Sequence, residues 1–274
     1  VALDPTTGAV LALVSTPSFD PNELSSHNAE SITKAYRKYN AMKSQPMLNR
    51  ALNQNYPAGS IFKIIDSAAA LTKGIKPSDR IPAPDGYRPF DPKQTGPCPG
   101  NLSGACVENF GGETCDNGTT ATLDFAFAKS CNTAFAQLAV ERIGGTDLAA
   151  QAQAFGFDAP YQGQTPPDFC DPSALTIPLP VCRSSPGSQS DIEDPAALAQ
   201  TAFGQRDVRV TPMQAAMMAA AVANNGTLMK PYLVGKELRP NLDTLNTTSP
   251  TQLGQVLDPN LDQDLIQMME DVVY

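Results

Sequence analysis

Apolar and polar positions divide this chain into short amphipathic segments separated by polar or proline-rich stretches. Residues 1–14 read as two strands about a turn at Asp4-Pro5-Thr6-Thr7-Gly8. Residues 20–50 are polar and read as irregular or helical. The segment 60–73 is different, because from Ile61 to Leu71 only Lys63, Asp66 and Ser67 are polar. A helix that is apolar nearly all round is a buried one, and Gly74 ends it. The burial is expected to draw Ser60 and Lys63 into the interior together. Residues 76–120 sustain no period and hold three cysteines, so they read as a loop-rich segment. Short helices are expected over 122–129, capped by Thr122, over 132–143, ended by Gly144-Gly145, and over 147–155. Residues 156–190 read as loop, and 196–203 as helix.

A strong start signal follows at Thr211-Pro212-Met213-Gln214: a cap, a proline at the first helical position, and a glutamine placed to close a capping box. That helix runs to Ala223 and stops at Asn225-Gly226. Residues 228–234 are extended. Asp258-Pro259 opens a last amphipathic helix carrying Leu261, Leu265, Met268 and Val272, which reaches the end of the chain. The Met-rich face at 213–218 reads as core packing.

Composition narrows the function classes. The 274 residues can bury a sizeable core. Only 17% are charged and 25 are proline, so loops cover much of the surface. A net charge of −9 argues against nucleic acid as a partner. No apolar run reaches the ~18–20 residues of a spanning helix, and nothing at Val1 reads as a signal peptide, so a membrane anchor is expected outside this chain. The six cysteines form no C-x-x-C pair, and the single histidine, His27, completes no zinc set with them. No P-loop or dinucleotide fingerprint occurs. No metal or cofactor is therefore expected. Five of the cysteines sit in Pro/Gly-rich stretches, where disulfides would staple poorly packed chain, and that favours an oxidising compartment. Connectivity stays open; Cys170 with Cys182 is the most local pairing.

The chemistry concentrates in two places. Ser60 and Lys63 are three residues apart at a helix start, where side chains are about 5–6 Å apart at Cβ. Pro57 and Gly59 break the chain just before them. A desolvated lysine gives up its proton more readily and can take that of a serine. The pattern alone is weak: Ser31-Ile32-Thr33-Lys34 repeats it in a polar stretch, and Ser26-His27-Asn28 imitates the second constellation. That second constellation is Lys129-Ser130-Cys131-Asn132, between two short helices. There Ser130 offers a hydroxyl for proton relay and Asn132 an amide for a substrate peptide group. Taken alone, a helix-junction cap explains Ser130 and Asn132 as well. A Ser-His-Asp triad would need His27, and no G-x-S-x-G elbow exists.

Ser60-x-x-Lys63 and Ser130-x-Asn132, in this order, resemble the first two motifs of the penicillin-binding protein and serine β-lactamase superfamily. The flanks resemble class B penicillin-binding protein transpeptidase domains. Those flanks are Leu3-Asp4-Pro5-Thr6-Thr7-Gly8, Asn49-Arg50-Ala51, Tyr56-Pro57-Ala58-Gly59, Phe203-Gly204-Gln205 to Gln214, and Ala221 to Gly226. Two departures stand out. Position 61 is isoleucine where that family usually has threonine, and the third motif, Lys-Thr-Gly or a relative, is absent. The resemblance implies an α/β (α+β) fold, with a central antiparallel sheet flanked by helices and an all-helical subdomain. It makes residues 1–274 one transpeptidase domain whose third motif and remaining strands would follow Tyr274.

The function implied is cross-linking of peptidoglycan stem peptides through a Ser60 acyl-enzyme, with acylation by β-lactams. Lys63 would be the general base, Ser130 the relay and Asn132 the substrate-binding residue. The Ser60 N–H would supply part of the oxyanion hole. The implied partners are stem peptides, β-lactams and cell-division or cell-wall synthesis proteins, at the extracytoplasmic face of a bacterial plasma membrane. Three rivals share the two motifs. A carboxypeptidase or β-lactamase would need a deacylating glutamate, for which Glu141 is the nearest candidate. A β-lactam sensor or a scaffold would acylate without turnover, and a decayed domain would only hold divisome partners.

Overall fold

The structure, a computed structural model, describes residues 1–91, 93, 96–98, 106–162 and 179–273. It opens on an antiparallel pair, β1 (Ala2–Leu3) and β2 (Val10–Ala12). The Asp4 carboxylate organises the turn between them, accepting from the Thr6 and Thr7 hydroxyls. Gly8, at φ 81°, passes so close to the Lys230 carbonyl that a Cβ would collide with it. The polar 20–50 stretch contains α1 (Ala29–Asn40). Asn28 caps it by accepting from the N–H groups of Glu30 and Ser31, and it buries only Ala35 and Tyr39. A single turn, α2 (Arg50–Asn53), leads to β3 (Tyr56–Pro57).

The apolar segment begins with a 3₁₀ turn, Gly59–Phe62, and continues as α3 (Lys63–Thr72). Gly74, at φ 81°, ends it as expected, with its N–H donating to the Leu71 carbonyl and that of Ile75 to Ala70. The 76–120 segment proves more regular than its composition suggests. β4 (Arg80–Pro82) and β5 (Gly86–Tyr87) pair with β7 (Thr120–Thr122) and β6 (Val107–Glu108), respectively. Thr122 caps α4 (Leu123–Ala128), its hydroxyl accepting from the Phe125 N–H. α5 (Asn132–Leu138) runs on through a π-helical turn, Ala139–Ile143, to Gly144 at φ 86°, and α6 (Gly145–Ala154) follows.

The 156–190 stretch is not all loop. α7 (Gln189–Glu193) starts inside it on a capping box made by Ser188 and Asp191. Asp194 then caps α8 (Pro195–Thr201). β8 (Arg209–Val210) pairs with β3. α9 (Pro212–Ala223) begins where the start signal placed it, with the Thr211 hydroxyl accepting from the Gln214 N–H at 3.1 Å. The expected capping box does not close, because the Gln214 amide donates to the Phe155 carbonyl at 2.6 Å. A tertiary acceptor has taken the side chain that local geometry reserved for the cap.

β9 (Thr227–Met229) follows, then a hairpin of β10 (Lys236–Leu238) and β11 (Thr244–Thr247), and β12 (Gln252–Gln255), which pairs with β9. α10 (Pro259–Glu270) is capped by Asp258. It stops four residues before Tyr274 and so does not reach the end of the chain. Strands and helices therefore mix as the resemblance implied. Among the described residues the strands form six separate two-stranded antiparallel sheets. Hydrogen bonds between Val10, Tyr232 and Gly8 bring the first ladder beside the β9 strand region.

Helices α4, α5, α6 and α10 pack around α3. Phe62, Ile65 and Leu71 are buried against the same core as Phe135, Met217 and Leu265. On α10, Leu265 and Met268 are fully buried and Leu261 partly so, but Val272 lies past the end of the helix and is 53% exposed. The 3.6-residue period describes the helix from Leu261 to Met268, and the chain leaves the helix at Glu270, before Val272. Leu265→Ala is expected to lower stability by about 2–5 kcal/mol. Val272→Ala should change it by no more than about 0.5 kcal/mol. Denaturant unfolding of the two variants checks the contrast.

Candidate active site

Ser60 sits in the 3₁₀ turn and Lys63 is the first residue of α3, so the change of helix type falls between them. Lys63 is buried, with 1% of its surface exposed. Ser60 is exposed, contrary to the expectation that both are drawn inside. The turn carries the serine out to solvent while the helix holds the lysine beneath it. Gly59, at φ 57°, donates its N–H to the Gly204 carbonyl at 2.9 Å. Gly204, at φ 75°, lies so tightly on Gly59 that any side chain would strike its backbone. Phe203 and Gln205, on either side of Gly204, consequently border the serine.

Ser130 and Asn132 reach the same place from the junction of α4 and α5. Ser130 adopts a left-handed backbone, φ 56°, and Asn132 opens α5. Neither side chain caps that helix, so the helix-cap reading of this constellation fails. Both turn to Lys63 instead. Its Nζ donates to the Ser130 hydroxyl at 2.8 Å, the Ser130 carbonyl at 2.7 Å and Asn132 Oδ1 at 2.8 Å. A longer contact of 3.4 Å reaches Ser60 Oγ, and the Ser130 hydroxyl donates to Ser60 Oγ at 2.9 Å. The four predicted residues thus form one hydrogen-bonded group. Asn132 Nδ2 donates to the Glu108 carbonyl at 3.2 Å, which fixes its amide orientation.

The decoys separate cleanly. Ser31 and Lys34 lie exposed on α1, and Asn28 is its cap. Glu141, in the π-helical turn, accepts from Gln137 at 3.0 Å.

Disulfides complete the frame. Cys115–Cys131 ties the 76–120 segment to the residue between Ser130 and Asn132, and Cys98–Cys106 closes a smaller loop. The Cys170–Cys182 pairing falls on Cys170, outside the described residues. Asn109 adds a second tie, its Oδ1 accepting from both the N–H and the hydroxyl of Thr133. Sequence alone does not assign these ties; Cys131 inside the motif is a signal for the disulfide, and Asn109 offers none.

Burial decides the electrostatics. Desolvation pushes the Lys63 amine down to about 7, opposed by the charge of Asp66. Asp66 is 0% exposed and neither of its carboxyl oxygens has a hydrogen-bond partner among the described residues. Desolvation holds its carboxyl well above the usual carboxylate range, opposed by Lys63. The rings of Phe135 and Phe203 lie 5.5 and 6.0 Å from Nζ. In front of the group is a cleft of ≈ 610 Å³ lined by Ser60, Asn109, Phe110, Ser130, Asn132 and Gln205. An exposed hydroxyl, a buried amine that is half unprotonated near neutrality, and a bridging hydroxyl together suit acyl transfer through serine.

The chain belongs to the penicillin-binding protein transpeptidase domain family, whose description matches residues 1–274. It is 42% identical over 276 residues to the peptidoglycan D,D-transpeptidase PbpA of Mycolicibacterium smegmatis, covering 98% of this chain and 49% of that protein. Against PbpA of Mycobacterium tuberculosis it is 40% identical over 269 residues, with the same coverage. Among solved structures it resembles the penicillin G acyl-enzyme complex of M. tuberculosis penicillin-binding protein A. That match has a TM-score of 0.83 and 39% identity, covering 99% of this chain and 56% of that one. A D,D-transpeptidase domain from Eggerthella lenta superposes with a TM-score of 0.75 at 28% identity, over 99% of this chain and 60% of that one. The chain spans about half the length of the curated relatives it matches.

The depressed lysine has a defined sign in stability. Between about 7 and 10.5 the unfolded chain holds more protons at Lys63 than the folded one. Its contribution is therefore present above 10.5 and is lost as pH falls through about 7. In ¹³C NMR of lysine-labelled protein, one lysine should titrate near pH 7 and vanish from the spectrum in Lys63→Met. Titration of all lysines near 10 would contradict the assignment.

Proposed function

We propose that this chain carries the acyl-transfer site of a peptidoglycan D,D-transpeptidase. Ser60 attacks the carbonyl between the two terminal D-alanines of a stem peptide. Lys63 accepts the serine proton, and Ser130 relays a proton to the departing D-alanine amine. An amine from a neighbouring stem then releases the acyl group and completes the cross-link. β-Lactams acylate the same serine because their strained amide imitates the donor. This activity places the protein at the extracytoplasmic face of the bacterial plasma membrane, among cell-wall and cell-division proteins. The two disulfides fit that compartment. Among the described residues no helix is long and apolar enough to cross a membrane.

The observation that carries this reading is the continuous chain from Lys63 Nζ to Ser130 Oγ to Ser60 Oγ, with links of 2.8 and 2.9 Å. In this arrangement it delivers hydrogens toward Ser60. Loss of a proton from Lys63 reverses it and leaves the amine free to take the serine proton, directly or through Ser130. Asn132 is proposed to hold the donor peptide. An amide nitrogen carries two N–H groups, and the Glu108 carbonyl engages one of them.

Ser60→Ala should abolish covalent labelling by a fluorescent penicillin, whereas Ser31→Ala should leave it intact. The reverse result would place the nucleophile elsewhere. Incubation with a D-Ala-D-Ala-type thioester donor and a D-amino-acid acceptor separates the remaining readings. Sustained formation of the aminolysis product is expected. Release by water alone would indicate a carboxypeptidase, and a single stoichiometric burst a sensor.

A further inference from the structure

Asp66 is a second buried ionisable group beside the nucleophile, and the acyl-transfer scheme gives it no task. It lies one turn beyond Lys63 on α3, at the i, i+3 spacing that puts two side chains on one helix face. Both are sealed from solvent, Lys63 at 1% exposure and Asp66 at 0%. The Lys63 ammonium has three hydrogens and, besides its long contact to Ser60, three close acceptors: the Ser130 carbonyl, the Ser130 hydroxyl and Asn132 Oδ1. All of these are uncharged, so they solvate the ammonium without neutralising it. The Asp66 carboxyl has the complementary defect, with no hydrogen bond to either oxygen among the described residues. A buried carboxyl left without a donor is costly, unless a nearby charge gives it a role.

We propose that Asp66 is a positioning residue that acts through Lys63, its carboxyl in the ionised form serving as the buried counter-charge for the lysine ammonium. The ammonium in turn opposes the burial that favours the neutral acid. This rests on the reading of Lys63 as the base for Ser60. In that reaction the Ser60 Oγ–H bond breaks as Oγ bonds to the substrate carbonyl carbon, and the proton ends on Lys63 Nζ. The ammonium forms in a site that water does not reach, and Asp66 is the acid of opposite charge one turn away.

Other ionisable groups lie on the elements packed against α3. They are Asp147 on α6, Asp262, Asp264 and Glu270 on α10, Asp124 on α4, and Glu141 and Arg142 in the π-helical turn; α5 contributes none. None of them perturbs either member of the pair, whose only charged influence is the other. Asp147 is engaged with Lys73.

The test is the pH profile of penicillin acylation, measured as a second-order rate constant on the intact protein and on Asp66→Asn. Asparagine keeps the shape and removes the charge. The rising limb should move to lower pH by about one unit, because an uncompensated buried ammonium sheds its proton sooner. The alkaline plateau should fall roughly tenfold, because the base then holds the serine proton less firmly. An unshifted midpoint, with or without a uniform loss of rate, would overturn the proposal and leave Asp66 a packing residue. If Asp66→Asn fails to fold, Asp66→Thr supplies the same comparison. Lys63→Met tests the underlying reading separately: if it retains acylation the base assignment falls, whatever Asp66 does.

Discussion

The placement of one amine out of water is the constraint around which this structure is arranged. Lys63 is sealed beneath an exposed serine, among the rings of Phe135 and Phe203 and four uncharged oxygens. A primary amine in water keeps its proton at neutral pH and is useless as a base. The apolar surroundings of α3 remove the hydration that favours the ammonium, and the charge of Asp66 opposes that loss. The balance leaves the amine near 7. Burial without that opposing charge would have driven it further down, and exposure would have left it near 10.5.

That balance has to be held by rigid parts, and the parts come from distant stretches of chain. The Ser60 turn is located by a glycine–glycine contact between 59 and 204, where a side chain on Gly204 cannot fit. Ser130 must adopt a left-handed backbone to present both its carbonyl and its hydroxyl to one nitrogen. Such a conformation costs on the order of 1–3 kcal/mol for a residue other than glycine. The neighbouring Cys115–Cys131 disulfide and the Asn109–Thr133 hydrogen bonds hold the segment in place. The irregular 76–120 region thus acts as scaffold for Ser130, although its composition alone suggests only loop.

Local rules described the elements well where the determinant was local. Thr122, Thr211 and Asp258 cap the helices they were expected to cap, and Gly74 and Gly144 end theirs. The same rules failed where a distant partner competed. Gln214 abandoned its capping box for the Phe155 carbonyl. The short helix over Gln189–Glu193 was hidden in a proline-rich stretch, although Ser188 and Asp191 carry a capping-box pattern. Val272 kept the helical period but not the helix.

The sequence by itself singled out four candidate site residues and set their order along the chain. Ser60-x-x-Lys63 and Ser130-x-Asn132 are covalent facts, and the apolar run after Ser60 dictates a buried helix through the hydrophobic effect. It also determined that Lys63, rather than Lys34, lies in a stretch able to desolvate it. Only the tertiary structure decided that the serine faces solvent while the lysine does not, because that depends on where a 3₁₀ turn gives way to an α-helix. It alone decided that two segments seventy residues apart converge on one nitrogen. Such convergence is set by packing, disulfide geometry and steric fit at Gly204, none of which leaves a periodic trace in the chain.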